Sequence, residues 1–265
     1  MSARIAVLGG GVMGETLLSA IIAAGHADVV VAEKFPDRAD ELRERYDVEV
    51  LDPADAVVDA GIVLVVVKPQ DVGTLLEEIS GSLAPAAVVV SLAAGVRTAT
   101  IEARVAEGVA VVRAMPNTPA LVGEGMFGVS AGSSCDAHQL QSVVDLLATS
   151  GEVVVVDEEQ QDALTAVSGS GPAYVFYLAE AMIAGGVESG LDEQVARTLA
   201  AQTLVGAAKL LNTSHDPPAE LRRRVTSPHG TTAAAIDTFD ERGVRDGLVA
   251  GVRAAARRSA ELSGS

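Results

Sequence analysis

The sequence predicts an α/β chain: a parallel, doubly wound sheet over residues 1–158, followed by an all-helical region over 159–265. Three observations predict it. Short apolar runs alternate with longer amphipathic segments through the first half. A glycine cluster joins the first apolar run to the first amphipathic segment. After Asp157 the strand-like runs stop, and Ala, Leu and Gly recur at helical spacing.

The elements follow in order. Arg4–Leu8 reads as a buried strand, Met13–Ala24 as a helix ending at Gly25, Val29–Ala32 as a strand and Pro36–Tyr46 as a charged helix with Leu42 on its apolar side. Ile62–Val67 is a continuous β-branched run, which suits a strand covered on both faces. Helix is expected over Gln70–Ile79, strand over Ala87–Ser91, Val109–Arg113, Phe127–Ala131 and Val153–Val156, and a further helix over Asp136–Ala148. Beyond a boundary near residues 157–162, helical spacing appears in Val175, Leu178, Ala179 and Met182, across Ala196–Leu211, and across Val244–Leu262. The small-residue faces of these helices suit packing against a second subunit, with packing inside one chain as the plain alternative.

Composition excludes several classes. A net charge of −17 repels a polyanionic backbone, and Arg222-Arg223-Arg224 is too short a run for nucleic-acid binding; it reads as a solvated helix face or local ion pairs. Cys135 is alone, and His26, His138, His215 and His229 lack metal-ligand spacing, so no metal is expected. The longest apolar stretches fall short of the roughly 18 to 20 residues that span a bilayer. Met1-Ser2-Ala3-Arg4 runs straight into a strand without a secretory pattern, so the expected location is the cytoplasm, with no membrane partner.

Gly9, Gly11 and Gly14 form G-x-G-x-x-G directly after a strand and at the start of a helix. In that context Gly9 permits the tight turn, Gly11 lets a pyrophosphate approach the backbone, and Gly14 lets the helix pack on the strand. This is the fingerprint of a Rossmann-type dinucleotide site. The expected cofactor contacts in this turn are Gly9, Gly11 and Gly14. Glu33, at the end of the second strand, suits ribose hydroxyls and NADH. Lys34 and Arg38 suit a 2′-phosphate and NADPH. Both cofactors stay open. Lys68 and Pro69 end another strand, after the apolar run Val63–Val67, where ligands of open parallel sheets sit. Lys68 meets the cofactor there or is a solvated loop lysine. Ala93, Ala94 and Gly95 are small enough to leave room for a nicotinamide ring.

Three longer segments carry a family resemblance: Arg113-Ala114-Met115-Pro116-Asn117-Thr118-Pro119, Val167-Ser168-Gly169-Ser170-Gly171-Pro172-Ala173-Tyr174 and Ser227-Pro228-His229-Gly230-Thr231-Thr232. With the glycine turn and Val67-Lys68-Pro69, in this order, the chain resembles pyrroline-5-carboxylate reductase over nearly its whole length. The resemblance implies reduction of the cyclic imine 1-pyrroline-5-carboxylate to L-proline by NADPH or NADH. It also implies a helical domain that interlocks two chains, with dimers assembling further, often to a decamer. By position, the resemblance implies a cofactor region made of Leu8, Gly9, Gly10, Gly11, Val12, Met13 and Gly14, of Val66, Val67, Lys68 and Pro69, of Ala93, Ala94 and Gly95, and of Asn117. Thr165 matches a hydroxyl near the imine nitrogen, and Ser227, Gly230, Thr231 and Thr232 match the substrate-carboxylate loop. Thr165 as a helix residue bonding its own backbone is the alternative. One residue departs from the pattern: His229 stands where the family usually has glycine, so a positive φ there would strain it.

A β-hydroxyacid dehydrogenase would place a lysine on the first interdomain helix, and none occurs from Gln160 to Gly190. A non-catalytic nicotinamide sensor would need neither Ser168–Tyr174 nor Ser227–Thr232.

Overall fold

The computed structural model describes residues 4–264. Residues 1–3, on which the reading of the N-terminus rested, lie outside the described residues.

The chain forms two compact units: the described residues of Met1–Ser170 together with Ala255–Ser265, and Gly171–Ala254. In the first unit the elements run β1 (Arg4–Leu8), α1 (Val12–Ala23), β2 (Val29–Ala32), α2 (Pro36–Tyr46), β3 (Glu49–Leu51), α3 (Pro53–Ala56), β4 (Ala60–Val65), α4 (Pro69–Ile79), β5 (Val88–Ser91), α5 (Thr98–Glu102), β6 (Ala110–Met115), β7 (Gly125–Ala131), α6 (Ala137–Leu147), β8 (Gly151–Val155) and α7 (Gln161–Leu164). They build one sheet in the order β3-β2-β1-β4-β5-β6-β7-β8. The order reverses between β1 and β4, which creates the crevice where doubly wound sheets bind ligands.

The sheet is parallel except at one place, where β6 and β7 pair antiparallel. An all-parallel reading of the strands is therefore corrected. The physical reason is connection length: only a short 3-10 segment, Thr118–Val122, separates them. A parallel pair needs a crossover of a dozen or more residues.

Alternation along β1 sends Ile5 and Val7 to one face and Ala6 and Leu8 to the other. Ile5 and Val7 pack with Leu17, Leu18 and Ile21 of α1 and with Val143 and Leu147 of α6. Ala6 and Leu8 pack with Val72, Leu76 and Ile79 of α4. Burying each of the Ile, Val and Leu side chains among them contributes about 1.5–3 kcal/mol. Helix α6 is anchored at its start by a reciprocal cap between Asp136 and Gln139.

The second unit is helical: α8 (Gly171–Glu188), α9 (Glu193–Thr213), α10 (Pro218–Arg224), α11 (Thr231–Glu241) and the first part of α12 (Val244–Ser263). Pro172 sits at the second position of α8, where its missing N–H costs nothing. The arginine run forms local ion pairs: Arg223 to Glu220 at 2.7 Å and Arg224 to Asp216 at 2.6 Å. Phe176, Tyr177 and Val205 on α8 and α9 are exposed in the single chain, at 63%, 73% and 61%. Among the described residues, no helix is long and apolar enough to cross a membrane.

The last turns of α12 belong to the first unit. Ser259 and Ser263 donate to the Asp162 carboxylate on α7 at 2.6 and 3.2 Å.

The tightest approach in the sheet edge is at Gly14, where a Cβ would lie 1.9 Å from the Gly9 carbonyl oxygen. Neither partner can yield, because both are backbone. Gly14→Ala should lose about 3 kcal/mol or more, at the top of the usual overpacking range, read as a lowered urea midpoint with unchanged secondary-structure content in the residual folded fraction.

Candidate functional site

Two concavities lie in the first unit along the carboxyl edge of the sheet. The larger, about 1000 Å³, runs over Leu8, Gly9, Gly11 and Val12, past Glu33 and Lys34, to Val66, Val67 and Lys68. The second, about 810 Å³, is lined by Pro69, Ala94, Gly95 and Thr165 together with Leu262 and Ser263 of α12. Gln70 lines both.

The glycine turn gives the first cleft a backbone floor. Gly9 has φ +110°, a conformation open to glycine, and a Cβ there would meet the Val66 carbonyl oxygen at 2.6 Å. Gly11 is exposed with open space where a Cβ would point. Helix α1 starts at Gly11 without a side-chain cap. Its first-turn N–H groups and positive dipole end therefore face the cleft, which is what a pyrophosphate requires. The residues present fit a dinucleotide.

Other expected contacts sit beneath this surface. Gly10 and Gly14 are buried, and Met13 and Ala93 pack into the core clusters. These residues shape the cleft without lining it. Asn117 is also committed to the protein: its Nδ2 donates to the Ser168 carbonyl at 3.2 Å, and its Oδ1 accepts from the Met126 N–H at 2.8 Å. It ties the residues after β6 to Ser168 in a π-helical turn and to the start of β7.

The charged wall at the end of β2 is a network. Glu33 accepts from the Gly10 N–H at 2.8 Å and from the Phe35 N–H at 2.9 Å, one bond on each oxygen. Arg38 donates its Nε to the Gly10 carbonyl at 2.8 Å, one terminal nitrogen to Glu41 at 2.8 Å and the other to Glu15. Glu15 also receives Arg45 at 2.5 Å and the Tyr46 hydroxyl at 3.0 Å. Burial pushes the Glu15 carboxyl up, but hydrogen bonds from Arg38, Tyr46 and Arg45 outweigh it and hold it below its ordinary value. Glu15 and Tyr46 had no motif to reveal them in the sequence. Lys68 is exposed at the start of α4.

Thr165 opens a π-helical turn, Thr165–Gly169, a local irregularity frequent at functional sites. Its Oγ1 donates to the Gln161 carbonyl at 2.7 Å. The hydroxyl proton is thus spent on its own helix, and the oxygen keeps lone pairs for a donor in the hollow. Below it, buried Gln161 donates to the Gly128 carbonyl at 3.2 Å and to the Ser130 hydroxyl at 2.8 Å. Buried Arg113 pairs with Glu158 at 2.9 Å. Leu262 and Ser263 reach the hollow from the far end of the chain, and no local pattern announces them. Among the described residues, no group of three or more His, Cys, Asp or Glu side chains is placed to hold a metal.

In the second unit, Ser227, Gly230, Thr231 and Thr232 form the entry to α11. The Gly230 N–H bonds the Ser227 carbonyl at 3.0 Å, and a Cβ on Gly230 would lie 2.5 Å from the Ser227 hydroxyl. No side chain caps α11. His229 adopts φ +61°. The strain anticipated for a residue other than glycine is present, although histidine tolerates this region better than most.

Fold and cleft define a class: a dinucleotide-binding oxidoreductase domain joined to a helical unit. A family model described as NADP oxidoreductase, coenzyme F420-dependent, matches residues 4–95, and one described as pyrroline-5-carboxylate reductase dimerisation matches residues 158–262. The chain belongs to the pyrroline-5-carboxylate reductase family. It is 44% identical to the pyrroline-5-carboxylate reductase of Corynebacterium melassecola, over 97% of this chain and 98% of the relative. A solved pyrroline-5-carboxylate reductase from Coxiella burnetii superposes with a TM-score of 0.94 at 33% identity, covering 99% of both chains. A Plasmodium falciparum pyrroline carboxylate reductase, solved with NADP bound, gives 0.86 at 25% identity, over 99% of this chain and 98% of that one.

Two outcomes follow. Glu15→Gln should reduce stability above pH 4.5, the ordinary glutamate value, because a depressed carboxyl stabilises the fold while ionised. The gap to the wild type should close as pH falls below that value through the lowered native pKa, measured by urea midpoints across pH. His229→Gly should raise stability by roughly 0.5–1 kcal/mol as relief of left-handed strain outweighs added unfolded-state freedom, read as a higher urea midpoint.

Proposed function

We propose that this chain reduces 1-pyrroline-5-carboxylate to L-proline with a hydride from NADPH or NADH. The observation that carries the reading is the uncapped backbone cradle at Gly9–Val12. It opens into a cleft that adjoins, through Gln70, a hollow walled by Ala94, Gly95 and Thr165. Family membership supports the same substrate.

When bound, the nicotinamide supplies the hydride. The rest of the task falls to the chain. The first turn of α1 holds the pyrophosphate, with Val66, Val67, Lys68 and Pro69 along the opposite wall. Ala94 and Gly95 leave space for a flat ring. Thr165, its proton already donated to Gln161, accepts a hydrogen bond from the protonated ring nitrogen of the imine. It therefore orients the substrate and favours the electrophilic iminium form without acting as the acid. The substrate carboxylate binds at the start of α11, where the Thr231 and Thr232 N–H groups and the Ser227 and Thr232 hydroxyls supply donors without a dedicated arginine. Gly230 serves close approach in that turn.

The functional division is a nucleotide domain, 1–158, and a substrate and dimerisation domain, 159–265. The start of the dimerisation match at residue 158 supports it. The working form is a homodimer in which the substrate loop comes from the second copy, with dimers assembling to a decamer in the cytoplasm. The exposed apolar residues of α8 and α9 support such pairing.

A spectrophotometric assay with pyrroline-5-carboxylate tests the reading: oxidation of the reduced cofactor is expected, and binding without turnover would point to a sensor. Thr232→Ala should raise KM for the imine by about tenfold, the worth of one hydrogen bond to a charged group, while cofactor Kd stays nearly constant. Equal loss of both would displace the carboxylate site from α11.

A further inference from the structure

We propose that Glu33 makes this chain selective for NADH over NADPH. The inference rests on the reading that the cleft binds a nicotinamide dinucleotide, and it concerns the end of β2, where this fold meets the adenosine ribose.

Charge alone leaves the choice open, because Glu33, Lys34 and Arg38 all line this end of the cleft. The bonding decides which of them is free. Glu33 is fixed: each carboxylate oxygen accepts a backbone N–H, from Gly10 at 2.8 Å and from Phe35 at 2.9 Å. A Cβ at Gly10 would press on Leu42 Cδ1 at 2.4 Å and crowd Glu33 Oε2 at 3.1 Å, so glycine keeps the turn close against the carboxylate. Two backbone bonds prevent the side chain from swinging away to admit a phosphate. Each oxygen still has a lone pair in hand, so the group can accept from both hydroxyls of a ribose diol.

Arg38 is the residue best suited by type to a 2′-phosphate, and it is already used. Its Nε holds the Gly10 carbonyl, and its two terminal nitrogens hold Glu41 and Glu15. Its charge is balanced by two carboxylates. Lys34 remains. Its side chain is 69% exposed, and its nearest carboxylate is Asp71 at 3.7 Å. A solvated lysine with an acidic neighbour gives an incoming dianion little net attraction. Five carboxylates and three cations line the cleft, so the surrounding field is also negative. A 2′-phosphate would therefore meet a fixed like charge with no uncommitted guanidinium to offset it, whereas a diol meets two ready acceptors.

The test is direct titration of the purified full-length protein with NADH and with NADPH, in the absence of imine, following reduced-nicotinamide fluorescence. NADH should bind about tenfold to thirtyfold more tightly, the scale set by two like charges a few ångströms from a carboxylate in a solvated cleft. Glu33→Gln removes the charge at nearly constant shape and should narrow that ratio about tenfold, by weakening NADH and strengthening NADPH. The wild-type titration needs no variant, so a misfolded Glu33→Gln leaves the main arm standing. NADPH binding as tightly as NADH to the wild type overturns the inference while the functional reading stands. An unchanged ratio in a folded Glu33→Gln overturns the role of Glu33. If neither cofactor binds, the functional reading fails together with it.

Discussion

The close passage of backbone over backbone at Gly9–Gly14 is the constraint on which the rest of the molecule depends. A side chain at Gly14 would enter the Gly9 carbonyl, and one at Gly9 would enter the Val66 carbonyl. With both absent, α1 drops directly onto β1 and β4 lies alongside. The Leu8 carbonyl can then accept the Val66 N–H at 2.8 Å, and the Gly9 N–H can reach Ala32 at 2.8 Å. These bonds bring three strand ends to one edge. The same lack of side chains leaves the first-turn N–H groups of α1 uncovered at the cleft. Packing and ligand recognition are here a single requirement.

Around that edge the protein spends its charged residues on geometry. Arg38, Glu15, Arg45 and Tyr46 brace α1 against α2, while Glu33 grips the glycine turn from the side. The long motif from Arg113 to Pro119 acts in a similar way. Arg113 pairs with Glu158, and Asn117 bridges Ser168 and Met126. Gly128 admits Leu164, whose Cδ1 would lie 2.0 Å from a Cβ there. These contacts seat the π-helical turn that carries Thr165. The first two segments that carry the family resemblance thus help hold the hollow in shape, and of their side chains Ser170 lines it.

Much of the first unit was legible because its signals are local. Continuous apolar strands and amphipathic helices announce themselves within a window of ten residues, and β1, β2 and α2 fall at the expected bounds. Glu49–Leu51 and Thr98–Glu102 were not legible: three or five residues of mixed polarity establish no period. The strained backbone at His229 was readable in advance, since it follows from one residue type in a turn that favours glycine.

By itself, the sequence determined the alternation of strands and helices, the glycine turn, the family and the set of charged residues near the ribose end. Tertiary structure alone decided the antiparallel pairing of β7, the return of Ser259–Ser263 to Asp162, and which of Glu33, Lys34 and Arg38 is already committed. Periodicity and turn chemistry depend on neighbours along the chain. Strand direction, helix docking and the free valence of a charged group depend on partners tens of residues away, whose distance from one another is set only when the core closes.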